Sequence, residues 1–242
     1  MIFNSPISSE KADRLVQMLK LPPDGRAFDA GCGTGELLLR IVAQQGIHGI
    51  GIDLDQRSIA TAQANAAARG IASRCEFRAI NVNQFEAQPG TFDLAICMGS
   101  THAFGAGESA FPNAINRLTQ LVRPSGQILL GETYWKQPPA REYLQLIGQP
   151  VGIYRDHAGN ISFVEEHGLV TQHSTTSDDN EWNDFESGHF EKVHREAETN
   201  PDDRALAAKL LRARVWLDGY QRWGRSTMGF GIYLFRAPYG TT

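Results

Sequence analysis

Cysteine, excess basic charge and long apolar runs are all scarce in this chain of 242 residues. The three cysteines, Cys32, Cys75 and Cys97, form no close pair with metal spacing, a pattern typical of free thiols in a reducing compartment. Lys and Arg number 23 against 27 Asp and Glu, without a basic run, which argues against a nucleic-acid partner. No apolar run approaches the ~20 residues of a membrane helix, and the N-terminal residues lack a signal-peptide pattern. We therefore expect a cytoplasmic globular protein that binds neither nucleic acid nor membrane.

What is present is an alternation of short apolar strands and helices over about the first 135 residues. Strands are predicted at residues 26–30, 48–54, 75–81, 92–99 and 127–135, and helices are predicted to begin at Ser9, Gly35, Gln56 and Pro112. This alternation predicts an α/β fold, a doubly wound and mostly parallel sheet covered by helices on both faces.

The rest of the chain adds two predicted strands and a helical segment. Residues 168–176 and 229–237 are predicted strands, and the second is expected to pair antiparallel at the edge of the sheet. A helical insertion at about 183–225 precedes the last strand, and in it Asn200 is expected to cap a helix that begins at Pro201. We predict one seven-stranded domain over residues 1–242, with its core in residues 20–135, 165–182 and 226–238.

The stretch FDAGCGTG, residues 28–35, places three glycines between the first strand and the following helix. Glycine permits positive φ and lets a ligand lie against the main chain, while free N–H groups at a helix N-terminus favour an electron-rich partner. The spacing is DxGxGxG rather than GxGxxG, because Glu36 stands where the third glycine of a dinucleotide site would be. A nucleotide-like cofactor is indicated, with an NAD-dependent oxidoreductase as the weaker alternative.

FDAGCGTG resembles the first motif of the class I S-adenosylmethionine-dependent methyltransferases, and further positions fall at matching intervals. Asp53 ends the second strand 22 residues after Gly31, where a carboxylate can accept both ribose hydroxyl hydrogens; a helix cap is the alternative. Asn81 and Val82 follow the third strand, where this family holds the adenine. Asp29 is expected to orient the loop or to reach the amino-acid part of the cofactor. The resemblance implies cofactor contacts at Asp29, Gly31, Cys32, Gly33, Gly35, Asp53, Leu54, Asn81, Val82 and Met98.

In such a sheet the chemistry lies beyond the carboxyl ends of the strands, between the first and the fourth. His102 follows the fourth strand and is the candidate general base for methyl transfer, with substrate binding or plain packing as alternatives. The segment lacks the Asp or Asn followed by two prolines and an aromatic residue that marks enzymes acting on adenine or glutamine amide nitrogens. No metal is expected, because no acidic cluster for magnesium is found and His189 and His194 lack a third ligand.

Aromatic residues are expected to form a wall for the methyl acceptor. Tyr134 and Trp135 end the fifth strand with Glu132 at the same rim, and Trp182 lies in the motif EWNDFE. Large apolar faces suit a small organic acceptor; alternatively, these rings only fix the insertion to the sheet. GETYW together with EWNDFE resembles a group of largely uncharacterised bacterial methyltransferase-like proteins. In that group the N-terminal segment folds over the cofactor, which implies a lid at residues 4–7 unless these only form an ordered turn.

The resemblance therefore implies a methyltransferase with S-adenosylmethionine as cofactor and a small molecule as acceptor, methylated on oxygen or nitrogen. A protein that binds S-adenosylmethionine without catalysing transfer, as a sensor or pseudoenzyme, is the alternative. The acceptor itself and the oligomeric state are not predicted.

Overall fold

A single seven-stranded sheet organises the computed structural model, which describes residues 2–239. The strands are β1 Arg26–Ala30, β2 His48–Asp53, β3 Cys75–Ala79, β4 Phe92–Met98, β5 Val122–Trp135, β6 Val170–Thr176 and β7 Met228–Arg236. Their order is β3-β2-β1-β4-β5-β7-β6, in which β1 to β5 run parallel and β7 is antiparallel to both of its neighbours. The predicted fold class is confirmed.

Helices cover both faces of the sheet. They are α1 Ser9–Met18, α2 Glu36–Gln45, α3 Gln56–Ala68, α4 Ala110–Leu121, α5 Arg141–Ile147, α6 His157–Glu166, α7 Asp179–Thr199, α8 Arg204–Gly219 and α9 Arg225–Thr227. One apolar layer joins α1, α2 and α3 to the sheet, and a second joins α4 and α6 to the opposite face. Five of the seven residues of β4 are buried, as expected for a parallel strand covered on both sides. None of the helices described here is long and apolar enough to cross a bilayer.

The predicted edge position of the last strand is wrong. β7 lies between β5 and β6, so β6 forms that edge of the sheet. Two glycines of β7 explain the error: a Cβ on Gly229 would lie 2.2 Å from the ring of Tyr134, and one on Gly231 would lie 2.0 Å from the hydroxyl of Tyr233. Aromatic side chains therefore fill the space over both glycines, and eight consecutive residues of the strand are buried.

The predicted start of the second insertion helix is also wrong. Asn200 ends α7, with its N–H bonded to the carbonyl oxygen of Ala197, and Pro201 lies in the turn that follows. α8 begins at Arg204, and its N-cap is Asp203, whose carboxylate accepts hydrogen bonds from the first-turn N–H groups at 2.8 and 3.1 Å. An aspartate two residues beyond the proline is thus the cap, because the preceding helix extends to Thr199.

Candidate functional site

A cavity of about 260 Å³ opens at the carboxyl ends of β1, β2 and β4. β1 has β2 on one side and β4 on the other, so the cavity lies where the strand order reverses. Nine of the ten predicted cofactor contacts line it, namely Asp29, Gly31, Cys32, Gly33, Asp53, Leu54, Asn81, Val82 and Met98. His102 lines the cavity as well, whereas Gly35 does not. We call this space the donor cavity.

The three glycines of the loop after β1 all have positive φ, at +71° for Gly31, +54° for Gly33 and +76° for Gly35. Their surroundings differ. A Cβ on Gly31 would lie 2.5 Å from that of Ser100, and one on Gly35 would lie 2.9 Å from the ring of Phe77. A Cβ on Gly33 would meet no protein atom within 4 Å. Two glycines are therefore required by packing, and the third leaves open space at the donor cavity.

The main-chain N–H groups of this loop are already used by the protein. Gly31 and Cys32 both donate to the carbonyl oxygen of Ile52, at 2.8 and 2.9 Å, and Gly33 donates to Oδ2 of Asp53 at 2.9 Å. The N–H groups expected to favour an electron-rich ligand belong to the N-terminus of α2, so that expectation stays a prediction. The three loop N–H groups are not free for a ligand. The loop offers the cavity a bare main-chain surface instead.

Asp53 ends β2 with its carboxylate fixed by the backbone. Oδ2 accepts from Gly33, and Oδ1 accepts from the N–H of Asp55 at 2.9 Å. The N-cap of α3 is Asp55, whose own carboxylate accepts from Arg57 and Ser58. The helix-cap alternative for Asp53 is thus excluded. Each carboxylate oxygen can accept more than one hydrogen bond, so this half-buried group retains acceptor capacity toward the cavity.

Asp29 is a buried carboxyl group at the wall of the donor cavity. Burial, and then the nearby charge of Asp53, raise its pKa to about 8. Within residues 2–239 no group donates a hydrogen bond to this carboxyl, including the groups of the glycine loop. A loop-orienting role therefore has no hydrogen bond to support it. A cationic group in the cavity would stabilise the ionised form.

The end of β3 and the loop after β4 complete the cavity. Asn81 Oδ1 accepts from the N–H of Asn83 at 2.9 Å and so caps a short turn, which leaves this oxygen a second lone pair. Val82 is buried beside it. Past β4, Ser100 donates to the carbonyl oxygen of Ala30 at 2.5 Å, which ties the β4 loop to the end of β1.

His102 lies on a single turn of 3₁₀ helix, Thr101–Phe104, that follows this tie. Its imidazole is exposed and has no hydrogen-bond partner within the described part of the chain. A side chain in this position can meet a second molecule that enters the cavity from the solvent. Its role as a base stays a prediction.

The aromatic residues predicted to bind the acceptor do not line the donor cavity. The indole N–H of Trp135 donates to the carbonyl oxygen of Val151 at 2.9 Å, and the ring centroid of Tyr134 lies 5.2 Å from that of His157. Trp182 packs edge-on against Phe230 of β7 with centroids 6.5 Å apart, and thereby joins α7 to the sheet. Contact of these three rings with an acceptor stays a prediction.

The expected common rim of Glu132, Tyr134 and Trp135 is wrong, because none of the three lines the donor cavity and Trp135 points to the opposite face of the sheet from Tyr134. Trp135 belongs to the apolar layer of α1 and α2. Glu132 is buried without lining the cavity, and burial raises its pKa to about 7. One carboxylate oxygen accepts from the N–H of Thr133, and the other has no partner among the described residues.

The N-terminal segment forms one wall of the donor cavity, which Ile2, Phe3, Asn4 and Ser5 all line. Ile2 and Phe3 were not predicted there, whereas Asn4 and Ser5 belong to the lid predicted at residues 4–7. Phe3 is buried, with the guanidinium of Arg40 5.2 Å from its ring centroid. The available signal was the short apolar run of Ile2 and Phe3 before the polar residues that follow. Closure of residues 4–7 as a lid stays a prediction.

Comparison with known proteins agrees with this geometry. Residues 27–126 match a family model described as a methyltransferase domain. An uncharacterised protein of Escherichia coli K12, YjhP, is 28% identical over 97% of this chain and 94% of its own length. A crystal structure of a Geobacter sulfurreducens S-adenosylmethionine-dependent methyltransferase, in complex with S-adenosylhomocysteine, superposes with a TM-score of 0.87 at 25% identity, over 97% of this chain and 93% of that one. A ubiquinone biosynthesis O-methyltransferase of Leptothrix cholodnii is 34% identical, but the match covers only 43% of each chain.

Proposed function

We propose that this chain, which carries a class I S-adenosylmethionine-dependent methyltransferase domain, transfers a methyl group to an oxygen or nitrogen atom of a small-molecule acceptor. The observation that carries the proposal is the donor cavity itself. There a glycine loop with one open position, the fixed carboxylate of Asp53 and the unpartnered carboxyl of Asp29 meet at the switch point of the sheet.

These residues fit S-adenosylmethionine as cofactor. The molecule carries an ammonium group, a sulfonium, two ribose hydroxyls and an adenine ring. Asp29 supplies a carboxylate for the cationic end, and Asp53 supplies acceptors for the hydroxyls. Leu54 and Val82 supply apolar surface, and Asn81 an amide, for the ring. When bound, the cofactor supplies an electrophilic methyl group.

The chain's own residues position the reactants, exclude water from the cavity and accept a proton. The hydrogen bond between Ser100 and Ala30 fixes the β4 loop against the glycine loop, so the turn that carries His102 lies beside the cavity. There the imidazole would take the proton that the acceptor atom loses when its lone pair attacks the methyl carbon and the bond from that carbon to the donor sulfur breaks. The N-terminal segment, with Phe3 buried in it, keeps water from one side of the cavity.

The test uses S-adenosylmethionine with a labelled methyl group and a panel of amine, phenol and alcohol acceptors. We expect the wild-type protein to label an acceptor. We expect His102→Gln to lower kcat about a hundredfold without changing affinity for S-adenosylhomocysteine, since general-base catalysis contributes roughly 10²–10⁴. His48→Gln is the matched control, because His48 is exposed at the opposite end of β2. An unchanged kcat in His102→Gln would remove the base from this proposal.

A non-catalytic S-adenosylmethionine-binding protein is the second candidate. The observation that favours it is the absence of Tyr134, Trp135 and Trp182 from the lining of the donor cavity. Tight binding of S-adenosylhomocysteine with no labelled product from any acceptor in the panel would support it.

A further inference from the structure

A second cavity, of about 170 Å³, adjoins the donor cavity. The two share Ile2, Phe3 and Ser5 as lining residues, so the N-terminal segment is the partition between them. The remaining walls come from the start of α1 and from the start of α7, which contributes Asp184 and Phe185. We call this space the side cavity. The two spaces are therefore neighbours on either side of residues 2–5.

The walls of the side cavity combine apolar rings with acids. Phe3, Ile7 and Phe185 supply the apolar surface, and Glu181 and Asp184 supply two carboxylates. Among the described residues that line either cavity there is no lysine and no arginine. A carboxylate or phosphate group on the acceptor would therefore lose water without gaining a cationic partner.

Two cations do lie close by, and both are already held by acids. The ammonium of Lys11 bonds to Glu181 and to the carbonyl oxygen of Thr176. The guanidinium of Arg40 bonds to Asp13 and Glu36, each at 2.7 Å. Neither is left to neutralise a negative charge on an incoming molecule.

The two carboxylates of the side cavity, Glu181 and Asp184, differ in whether they have an ion-pair or hydrogen-bond partner. Burial acts to raise the pKa of Glu181, but hydrogen bonds from Lys11, Ser8 and Asp178 outweigh it, so the pKa is lowered. That charge is fully used in joining α7 to α1. Asp184, three residues along the same helix, is exposed and has neither an ion pair nor a hydrogen bond within residues 2–239. The side cavity therefore keeps one uncompensated negative charge beside the ring of Phe185.

Building on the proposed function, we infer that the methyl acceptor carries a positively charged ammonium group, which binds in the side cavity between Asp184 and the ring of Phe185. This group is distinct from the atom that takes the methyl, because the reacting atom needs a free lone pair. The charge of Asp184 attracts the ammonium, and the faces of aromatic rings favour cations over neutral groups of the same shape.

Two probes of one shape and different charge, choline and 3,3-dimethylbutan-1-ol, test the inference, and 3,3-dimethylbutanoate serves as an anion of similar size. Each is titrated by NMR into protein saturated with S-adenosylhomocysteine. We expect choline to bind about fivefold to tenfold more tightly than the alcohol, and the anion most weakly. Asp184→Asn is expected to remove most of the preference for choline. Glu191→Gln is the matched control, since Glu191 is an exposed acid farther along α7 that lines neither cavity.

The outcomes separate this inference from the proposed function. If S-adenosylhomocysteine itself does not bind, the proposed function fails. If it binds but the alcohol or the anion equals choline, or choline shifts no signal of Phe185, the inference is overturned. Loss of the choline preference in Glu191→Gln as well as Asp184→Asn would also overturn it, because a general negative field would then be the cause.

Discussion

An added methyl group at Gly33 should separate cofactor binding from folding. Gly33 and Gly70 are matched in two respects: both have positive φ, at +54° and +69°, and a Cβ on either would meet no protein atom within 4 Å. Alanine in the left-handed region costs about 1–2 kcal/mol at either position. For a chain of this size that corresponds to a fall in Tm of about 2–8 °C. Both variants should therefore fold, with similar losses of stability.

Only the Gly33→Ala methyl enters the space of the donor cavity. Inserting a methyl group into a well-packed contact costs about 1–3 kcal/mol, which weakens binding about fivefold to more than a hundredfold. Isothermal titration with S-adenosylhomocysteine gives the affinity, and thermal unfolding gives Tm. We expect Gly33→Ala to lose affinity by this factor and Gly70→Ala to bind like the wild type. Wild-type affinity in Gly33→Ala, or an equal loss of affinity in both variants, would show that the ligand does not lie against Gly33.

Three further predictions concern aspartates of the donor cavity and of the helix N-termini. Asp53→Asn should weaken S-adenosylhomocysteine binding at least about tenfold. Asp55→Ala, which removes the cap of α3, should lower Tm by roughly 2–4 °C and leave that affinity unchanged. Calorimetric titration and thermal unfolding of both variants measure the two quantities. The raised pKa of Asp29 means that the folded protein keeps a proton between about pH 4 and pH 8 which the unfolded chain gives up, so stability falls as pH rises through that window. Asp29→Asn should therefore have a higher Tm than the wild type, by a margin that grows from pH 5 to pH 8, and it should bind S-adenosylmethionine more weakly. A Tm difference between the two proteins that stays constant over this pH range would contradict the prediction. Asp203→Ala should lower Tm by a few degrees as an N-cap loss, whereas Pro201→Ala should not.

The glycine loop and the end of β2 were predictable because their chemistry is local. Positive φ at alternate positions needs glycine, and an acid at the carboxyl end of the neighbouring parallel strand must lie at the same edge of the sheet. The pairing of Ala30 with Ile52 places Gly31 and Asp53 side by side one residue later. No long-range packing had to be known.

The errors arise where an interpretation depended on distant residues. The sequence of β7 favoured an edge strand, but rings from β5 and from β7 itself fill the space over Gly229 and Gly231. Trp182 does not line the donor cavity, because its ring lies between α7 and Phe230, and its contact with an acceptor stays a prediction. Phe3 lines the cavity only because the N-terminal segment crosses the carboxyl ends of the strands, which no local pattern encodes.

The most direct test of the central claim is a crystal structure of the protein with S-adenosylhomocysteine. We expect the ligand in the donor cavity, with its ribose hydroxyls donating to the carboxylate of Asp53 and its amino-acid end beside Gly33 and Asp29. A ligand bound elsewhere, or an Asp53 carboxylate turned away from the ribose, would contradict it.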